Sequence, residues 1–217
     1  MSQVLEAALR EGIGALRLEL EERQIAQLLA YLALLQKWNR VYNLTGVRQP
    51  VDMLTHHLLD SLVVVAPLLR QTGGRPIRLL DVGSGAGLPG VVIAICCPEI
   101  QVDCVDAVAK KAAFIQQAAA TLQLANLQGV HARVECLSGS YDVVASRAFA
   151  SLPDFVRLSA GALAPNGVWL AQKGRHPGEE IDTLPAMAEV FHVEQLEVPG
   201  LHAERCIVWL RVAPRVT

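Results

Sequence analysis

Apolar positions along the chain change their spacing once. In "EERQIAQLLAYLALLQKW" (residues 21–38), Ile25, Leu28, Leu29, Leu32 and Leu35 recur at three- and four-residue steps. That is the spacing of one buried helical stripe. "YNLTGVRQP" breaks the pattern, and Pro50 is placed to open a further helix through "VDMLTHHLLDSLVVVAPLL". The turn-rich "RQTGGRP" (residues 70–76) is the best internal boundary, giving a helical extension over residues 1–72 and a core over 73–217.

From Ile77 the rhythm becomes strand then helix. "IRLLDV" predicts a strand, "LPGVVIAICC" a helix, "IQVDCVDA" a strand and "KKAAFIQQAAATLQL" an alanine-rich helix. "LQGVHA" and "YDVVASR" read as the next strands, followed by a helix over residues 153–163 and the strand "GVWLAQK". This alternation predicts an α/β fold with a doubly wound parallel sheet. The end differs: "VFHVEQLEVP" and "ERCIVWLRV" are two strands joined by a short link, an antiparallel terminal hairpin.

Composition narrows the setting. Of 217 residues 52% are hydrophobic, which allows a large core, yet the longest apolar runs are too short to span a bilayer. No signal peptide is visible at the N-terminus. The five cysteines are odd in number and form no C-x-x-C pair, which points to buried thiols in a reducing compartment, without a disulfide framework or metal site. The expectation is a soluble, cytoplasmic protein. A net charge of −2 gives no global attraction to nucleic acid, so any RNA contact must come from a local basic surface.

The candidate chemistry lies in "LLDVGSGAGLPG" (residues 79–90), with four glycines in eight residues at a strand-to-helix switch. From Gly85 it spells G-x-G-x-x-G, the dinucleotide fingerprint; from Asp81 it spells D-x-G-x-G-x-G. In a dinucleotide fold the first glycine follows directly on the strand. Here that glycine is Gly83, and the fingerprint counted from it fails at Leu88. The matching version begins two residues late and leaves Asp81 beside a pyrophosphate. S-adenosyl-L-methionine, with its cationic sulfonium and ammonium and no phosphate, suits an acid at that position, and the glycines let the backbone lie flat against the ligand. Asp106, ending the second strand, serves as a ribose acceptor in either reading. The terminal hairpin favours a Rossmann-like class I methyltransferase over a nicotinamide domain.

Five stretches in order then resemble one family: "LLQKWNRVYNLT", "HHLLDSL", "LLDVGSGAGLPG", "SRAFASL" and "QKG". Over nearly its whole length the chain resembles the RsmG (GidB) family of small-subunit (16S) ribosomal RNA guanine-N7 methyltransferases. The resemblance implies a methyltransferase core with an N-terminal helical extension, and 16S rRNA or the small subunit as partner; no protein partner is inferable. It implies cofactor contacts from the turn around Gly83, Ser84, Gly85, Gly87 and Leu88, from Val134 and Glu135 near the adenine, and from Arg147, with Asp81 and Asp106 beside them. Cys136 departs from the acidic or polar residue expected after Glu135, without consequence for activity.

The chemistry agrees. Guanine N7 has an in-plane lone pair, so the reaction needs alignment and desolvation more than a general base. After the fourth strand the chain has "SRAF", neither the Pro-Pro-aromatic motif of amino-group methyltransferases nor a Pro-Cys nucleophile. Arg147 is expected to orient the cofactor carboxylate or a phosphate, because a bidentate grip on O6 and N7 would block the nucleophile. The RNA-binding candidates are Asn39, Arg40, Arg133, Lys173 and Arg205. For Lys173 a phosphate or base contact and a solvated loop stand even. His57 and Asp60 read as helix-packing polar groups, Trp38, Met187 and the cysteines as packing, and Lys110 as a partner of Asp106 one turn back. A non-catalytic RNA- or ribosome-binding module and a nicotinamide oxidoreductase are the competing functions.

Overall fold

The computed structural model describes residues 2–214. The helical extension begins with α1 (Ser2–Ala15) and α2 (Glu22–Tyr42). A capping box between Glu21 and Gln24 starts α2, and Asn43 in the left-handed region ends it. The segment expected as one helix from Pro50 is divided. It runs as α3 (Pro50–Met53), a π-helical turn (Leu54–Leu59), α4 (Asp60–Leu62) and, after a break at Val63 and Val64, α5 (Val65–Thr72). By length and composition Pro50–Thr72 could cross a membrane, but 72% of its apolar window is buried inside the protein.

Seven strands follow: β1 (Arg78–Val82), β2 (Gln101–Asp106), β3 (Leu127–His131), β4 (Tyr141–Arg147), β5 (Leu163–Lys173), β6 (Ala188–Leu196) and β7 (Arg205–Val212). Between them run α6 (Gly90–Cys96), α7 (Ala109–Leu122), α8 (Leu152–Ser159) and α9 (Gly178–Asp182). The sheet order is β3-β2-β1-β4-β5-β7-β6. The first five strands are parallel, while β7 is antiparallel to both β5 and β6. β5 begins four residues earlier than expected, at Leu163, because the preceding helix ends at Ser159 and only a 3₁₀ turn (Ala160–Ala162) intervenes.

Strand alternation sends successive side chains to opposite faces. Leu79, Val143, Ala145, Leu170, Ile207 and Trp209 join the core shared with the helical extension. Leu80, Val144, Trp169, Ala171, Val208 and Leu210 join the core on the other face, under α8. The first core runs unbroken from Leu9 in α1 to the sheet, so apolar packing crosses the boundary at residue 72. Trp38 packs there, its ring 5.5 Å from Phe114. Two residues expected as packing are on the surface instead: Met187 is 42% exposed and Cys136 is exposed. Met187 lies in the connection just before β6 and Cys136 ends a short 3₁₀ turn (Val134–Cys136) after β3, on the surface in both cases.

Candidate active site

The order of strands reverses between β1 and β4, which opens a crevice at their carboxyl ends, where α/β sheets bind ligands. The glycine turn fills one side of it. Gly83 and Ser84 donate their N–H groups to the Val105 carbonyl, at 2.9 and 3.2 Å, tying the turn to the end of β2. Gly83 has φ +63°, and a Cβ there would lie 2.3 Å from the Phe149 ring. Gly85 has φ +61°, but a Cβ there would meet open space. Only a glycine takes that backbone without strain and leaves the space for a ligand. From behind, the buried Tyr31 of α2 donates to the Ala86 carbonyl at 2.7 Å, so the helical extension braces the turn.

Two cavities meet at Gly83, which lines both. The smaller, about 170 Å³, is lined by Val105, Asp106, Arg133, Val134, Glu135 and Phe149. Asp106 accepts from the Gly85 N–H at 3.0 Å and the Val108 N–H at 2.8 Å, and pairs with Lys111 at 3.4 Å. Its carboxylate is thus fixed at the end of β2 with lone pairs to spare for a diol. The basic partner is Lys111; Lys110 instead donates to the Tyr42 carbonyl at 2.9 Å. The register of α7 turns Lys110 toward the helical extension, which corrects the expected pairing.

The larger cavity, about 500 Å³, lies between the turn, the strand ends and the helical extension. Its centre is Asp60, whose side chain is 5% exposed and pairs with two guanidinium groups. Arg147 Nη1 reaches Asp60 Oδ2 at 2.8 Å, and Arg205 Nε reaches Oδ1 at 2.7 Å. Gln172 Nε2 adds bonds to the Asp60 carbonyl at 2.6 Å and to Oδ1 at 3.2 Å. Alternation explains the convergence: Arg147, Gln172 and Arg205 share the phase of strand residues that face the helical extension. Because β7 runs antiparallel, its first residue lies beside the ends of β4 and β5.

The π-helical turn completes this centre. The Asp60 backbone N–H donates to the Thr55 carbonyl five residues back, and the His56 carbonyl accepts from Arg147 Nη1 at 3.0 Å. Such wide turns recur at functional sites because they redirect groups that an α-helix would occupy. His57 Nε2 lies 2.8 Å from the Thr45 hydroxyl and Nδ1 3.0 Å from the His56 carbonyl. Burial first, and the Arg147 charge second, push the His57 pKa down to about 4, so the imidazole is neutral at pH 7.

The sequence candidates therefore divide. Gly83, Ser84, Gly85, Leu88, Arg147, Lys173 and Arg205 line the larger cavity. Asp106, Arg133, Val134 and Glu135 line the smaller. Asp81 and Gly87 line neither and sit behind the turn. A Cβ at Gly87 would strike Val91 and Ile115, so that glycine serves packing. Asp81 is fully buried; its Oδ2 accepts from the Gly90 N–H at 2.8 Å while Oδ1 has no partner. Burial raises its pKa to about 7, and its bond to Gly90 holds the turn from beneath without lining either cavity.

Three RNA candidates are committed elsewhere. Asn39 is buried, donating to the Val47 carbonyl at 3.2 Å and accepting from the Thr45 N–H at 2.9 Å. Lys173 faces the sheet side opposite Gln172 and pairs with Glu180 at 2.8 Å. Arg205 is held by Asp60. Arg40 and Arg133 remain exposed and have no ion-pair partner among the described residues. His57 and Asp60, read as packing groups, line the larger cavity; only the fold brings Asp60 to Arg147, 87 residues away in sequence.

The residues fit S-adenosylmethionine: open space at Gly85, carboxylates at Asp106 and Glu135 for a cationic ligand with a diol, and a buried acceptor without a partner, Gln172 Oε1, at the larger cavity. Sheet order, glycine turn and terminal antiparallel strands define an S-adenosylmethionine-dependent methyltransferase of the Rossmann-like class. The same fold occurs in magnesium protoporphyrin IX methyltransferase from Synechocystis, solved with bound S-adenosylmethionine (TM-score 0.60, 16% identity, 83% of this chain and 97% of that one). It occurs also in TrmN from Thermus thermophilus (TM-score 0.57, 20% identity, 74% of this chain and 53% of that one).

The sequence is more specific. The chain belongs to the GidB family, rRNA small subunit methyltransferase G, whose family model matches residues 24–208. A protein of Albidiferax ferrireducens bearing the name ribosomal RNA small subunit methyltransferase G is 67% identical over 217 residues, covering 95% of this chain and 97% of its own length. A namesake from Acidovorax sp. is 68% identical over 214 residues, with 95% of each chain covered.

Proposed function

We propose that the protein transfers the methyl group of S-adenosylmethionine to N7 of a guanine in 16S rRNA, acting in the cytoplasm on the RNA or the small subunit. Family membership supports the substrate class. The observation that carries the chemistry is the pair of cavities joined at Gly83, one lined by hydrogen-bonding carboxylates and apolar groups that suit a ribose diol and a base, and the other bounded by the strand ends and the helical extension. Bound S-adenosylmethionine supplies an electrophilic methyl on a sulfonium.

The chain's own residues align and desolvate. Asp106 would accept the ribose hydroxyls, with Val134 and Glu135 beside the base. The backbone at Gly83 and Gly85 would lie against the methionine portion. N7 attack releases no proton, and the larger cavity matches that economy. Of the two imidazoles that line it, that of His57 is neutral and bonded to Thr45, and its one buried carboxylate, Asp60, is paired with Arg147 and Arg205. Because N7 attack needs no base, positioning is the main task. Arg147 has one terminal nitrogen committed to Asp60 and His56, which leaves the other for the cofactor carboxylate or guanine O6.

Calorimetric titration tests the cofactor half. S-adenosylhomocysteine should bind and NADH should not; the reverse would replace this reading with an oxidoreductase. Transfer of labelled methyl groups to rRNA from naked, partly assembled and mature particles tests the other half. A failure to label any of them would favour a non-catalytic RNA-binding module.

A further inference from the structure

Beyond the cavities described above, a groove of about 680 Å³ runs between the end of α2 and the start of α3. It is lined by Gln36, Arg40, Asn43, Arg48, Gln49 and Val51 among others, and no carboxylate lines it. Arg40 and Arg48 are exposed, and among the described residues neither donates a side-chain hydrogen bond or forms an ion pair. Elsewhere the arginines are mostly engaged, as at Arg10, Arg70, Arg78, Arg147, Arg157, Arg205 and Arg211. The local charge is also unlike the whole: from Gln24 to Val51 the chain has no Asp or Glu but has Lys37, Arg40 and Arg48, in a protein of net charge −2.

The groove adjoins the larger cavity through a single wall, residues 43–49. Leu44, Thr45 and Val47 face the cavity, whereas Asn43, Arg48 and Gln49 face the groove. That wall is fixed from both ends. Asn39 holds Thr45 and Val47, and the Thr45 hydroxyl meets His57 at 2.8 Å. Arg48 is therefore presented at a set place next to the candidate site of transfer.

We propose that this groove holds the RNA backbone flanking the target base, with Arg40 and Arg48 each pairing with a phosphate. The inference rests on rRNA as the substrate. Unpaired guanidinium groups, side-chain amides and the absence of carboxylates suit a polyanion. Continuity with the cavity gives the strand a path outward from the base.

The test is binding of deproteinised 16S rRNA across a salt series, without cofactor, for the wild type, Arg40→Gln/Arg48→Gln, Arg40→Lys/Arg48→Lys and the control Arg17→Gln/Arg23→Gln. Losing two phosphate contacts should lower the slope of log K against log salt by about 1.4 and weaken binding on the order of 10-fold at 0.1 M salt. The lysine variant and the control should keep the wild-type slope. Affinity of the groove variant for S-adenosylhomocysteine should be unchanged. Three results would overturn the proposal: an unaltered slope in the groove variant, an equal loss in the control, or a loss seen with assembled subunits but not with deproteinised RNA, which would make the groove a protein contact. If the salt slope falls as expected while the wild type transfers no methyl group, the groove stands and the methyltransferase reading fails.

Discussion

The two sides of the crevice are built on different principles. The glycine-turn side is made from consecutive residues, Gly83 to Leu88, with Asp106 added from the next strand. The opposite side is assembled at a distance: Asp60 from the helical extension gathers Arg147, Gln172 and Arg205 from the ends of three strands. On the first side backbone conformation shapes the cavity wall; on the second a buried charge network does. One change of backbone can therefore abolish the first, whereas the second should lose activity in steps.

The largest effect is expected at Gly85. Gly85→Asp puts a side chain into the cavity, at φ +61° and on the residue whose own N–H donates to the Asp106 carboxylate. Strain and like-charge repulsion together should reduce cofactor affinity by about 100-fold or more. Titration with S-adenosylhomocysteine checks this, with circular dichroism confirming an intact fold.

Next comes Asp60→Asn, which removes the charge shared by two guanidinium groups. Breaking a buried pair costs about 3–5 kcal/mol; here Arg147 and Arg205 are each about one-fifth exposed, so about 2 kcal/mol is the expected loss. Methyl transfer should fall further than cofactor affinity does. Adding Arg205→Gln should cost much less in the Asp60→Asn background than in the wild type, because the two share one network. Additive losses would show that the carboxylate does not organise both arginines.

A smaller, pH-dependent effect belongs to Asp81. Its pKa stands at about 7 in the fold against 3.8 for the free side chain. The folded state thus binds the proton more tightly, and the wild type loses stability as pH rises from about 4 to about 7. Asp81→Asn keeps an acceptor for the Gly90 N–H without titrating. Melting curves should show the variant gaining on the wild type across that window, with the gap flat above it. A constant gap over the whole range would contradict the buried, protonated carboxyl. The least effect is expected from Lys111→Ala, a partly exposed pair with Asp106 contributing under about 1 kcal/mol, and so at most a few-fold in cofactor affinity.

The same contrast governs what could be read from sequence. That the glycine turn and Asp106 come together at the crevice was legible because their spacing along the chain is their geometry, whereas Val134 and Glu135 were named from the resemblance alone. The helices α6 and α7 and all seven strands were legible from periodicity. The division of Pro50–Thr72 was not, because the apolar pattern of the π-helical turn does not differ visibly from an α-helix. Nor was Asp60 as a site residue: its partners lie 87, 112 and 145 residues away. Part of that network was within reach. Strand phase alone places Arg147, Gln172 and Arg205 on the face covered by the helical extension, and Lys173 on the opposite face, where it meets Glu180. Asp81 was correctly placed at the strand end, but strand phase turned it beneath α6 and away from the ligand cavity.

The central claim is that the two cavities meeting at Gly83 form one methyl-transfer centre. The most direct test is transfer of labelled methyl groups from S-adenosylmethionine to 16S rRNA or small subunits, with the product mapped by the chain cleavage specific to 7-methylguanosine. The account predicts one modified guanine with wild-type protein, none with Gly85→Asp, and a reduced yield with Asp60→Asn under saturating cofactor. Labelling of a different atom, or undiminished transfer by Gly85→Asp, would contradict it.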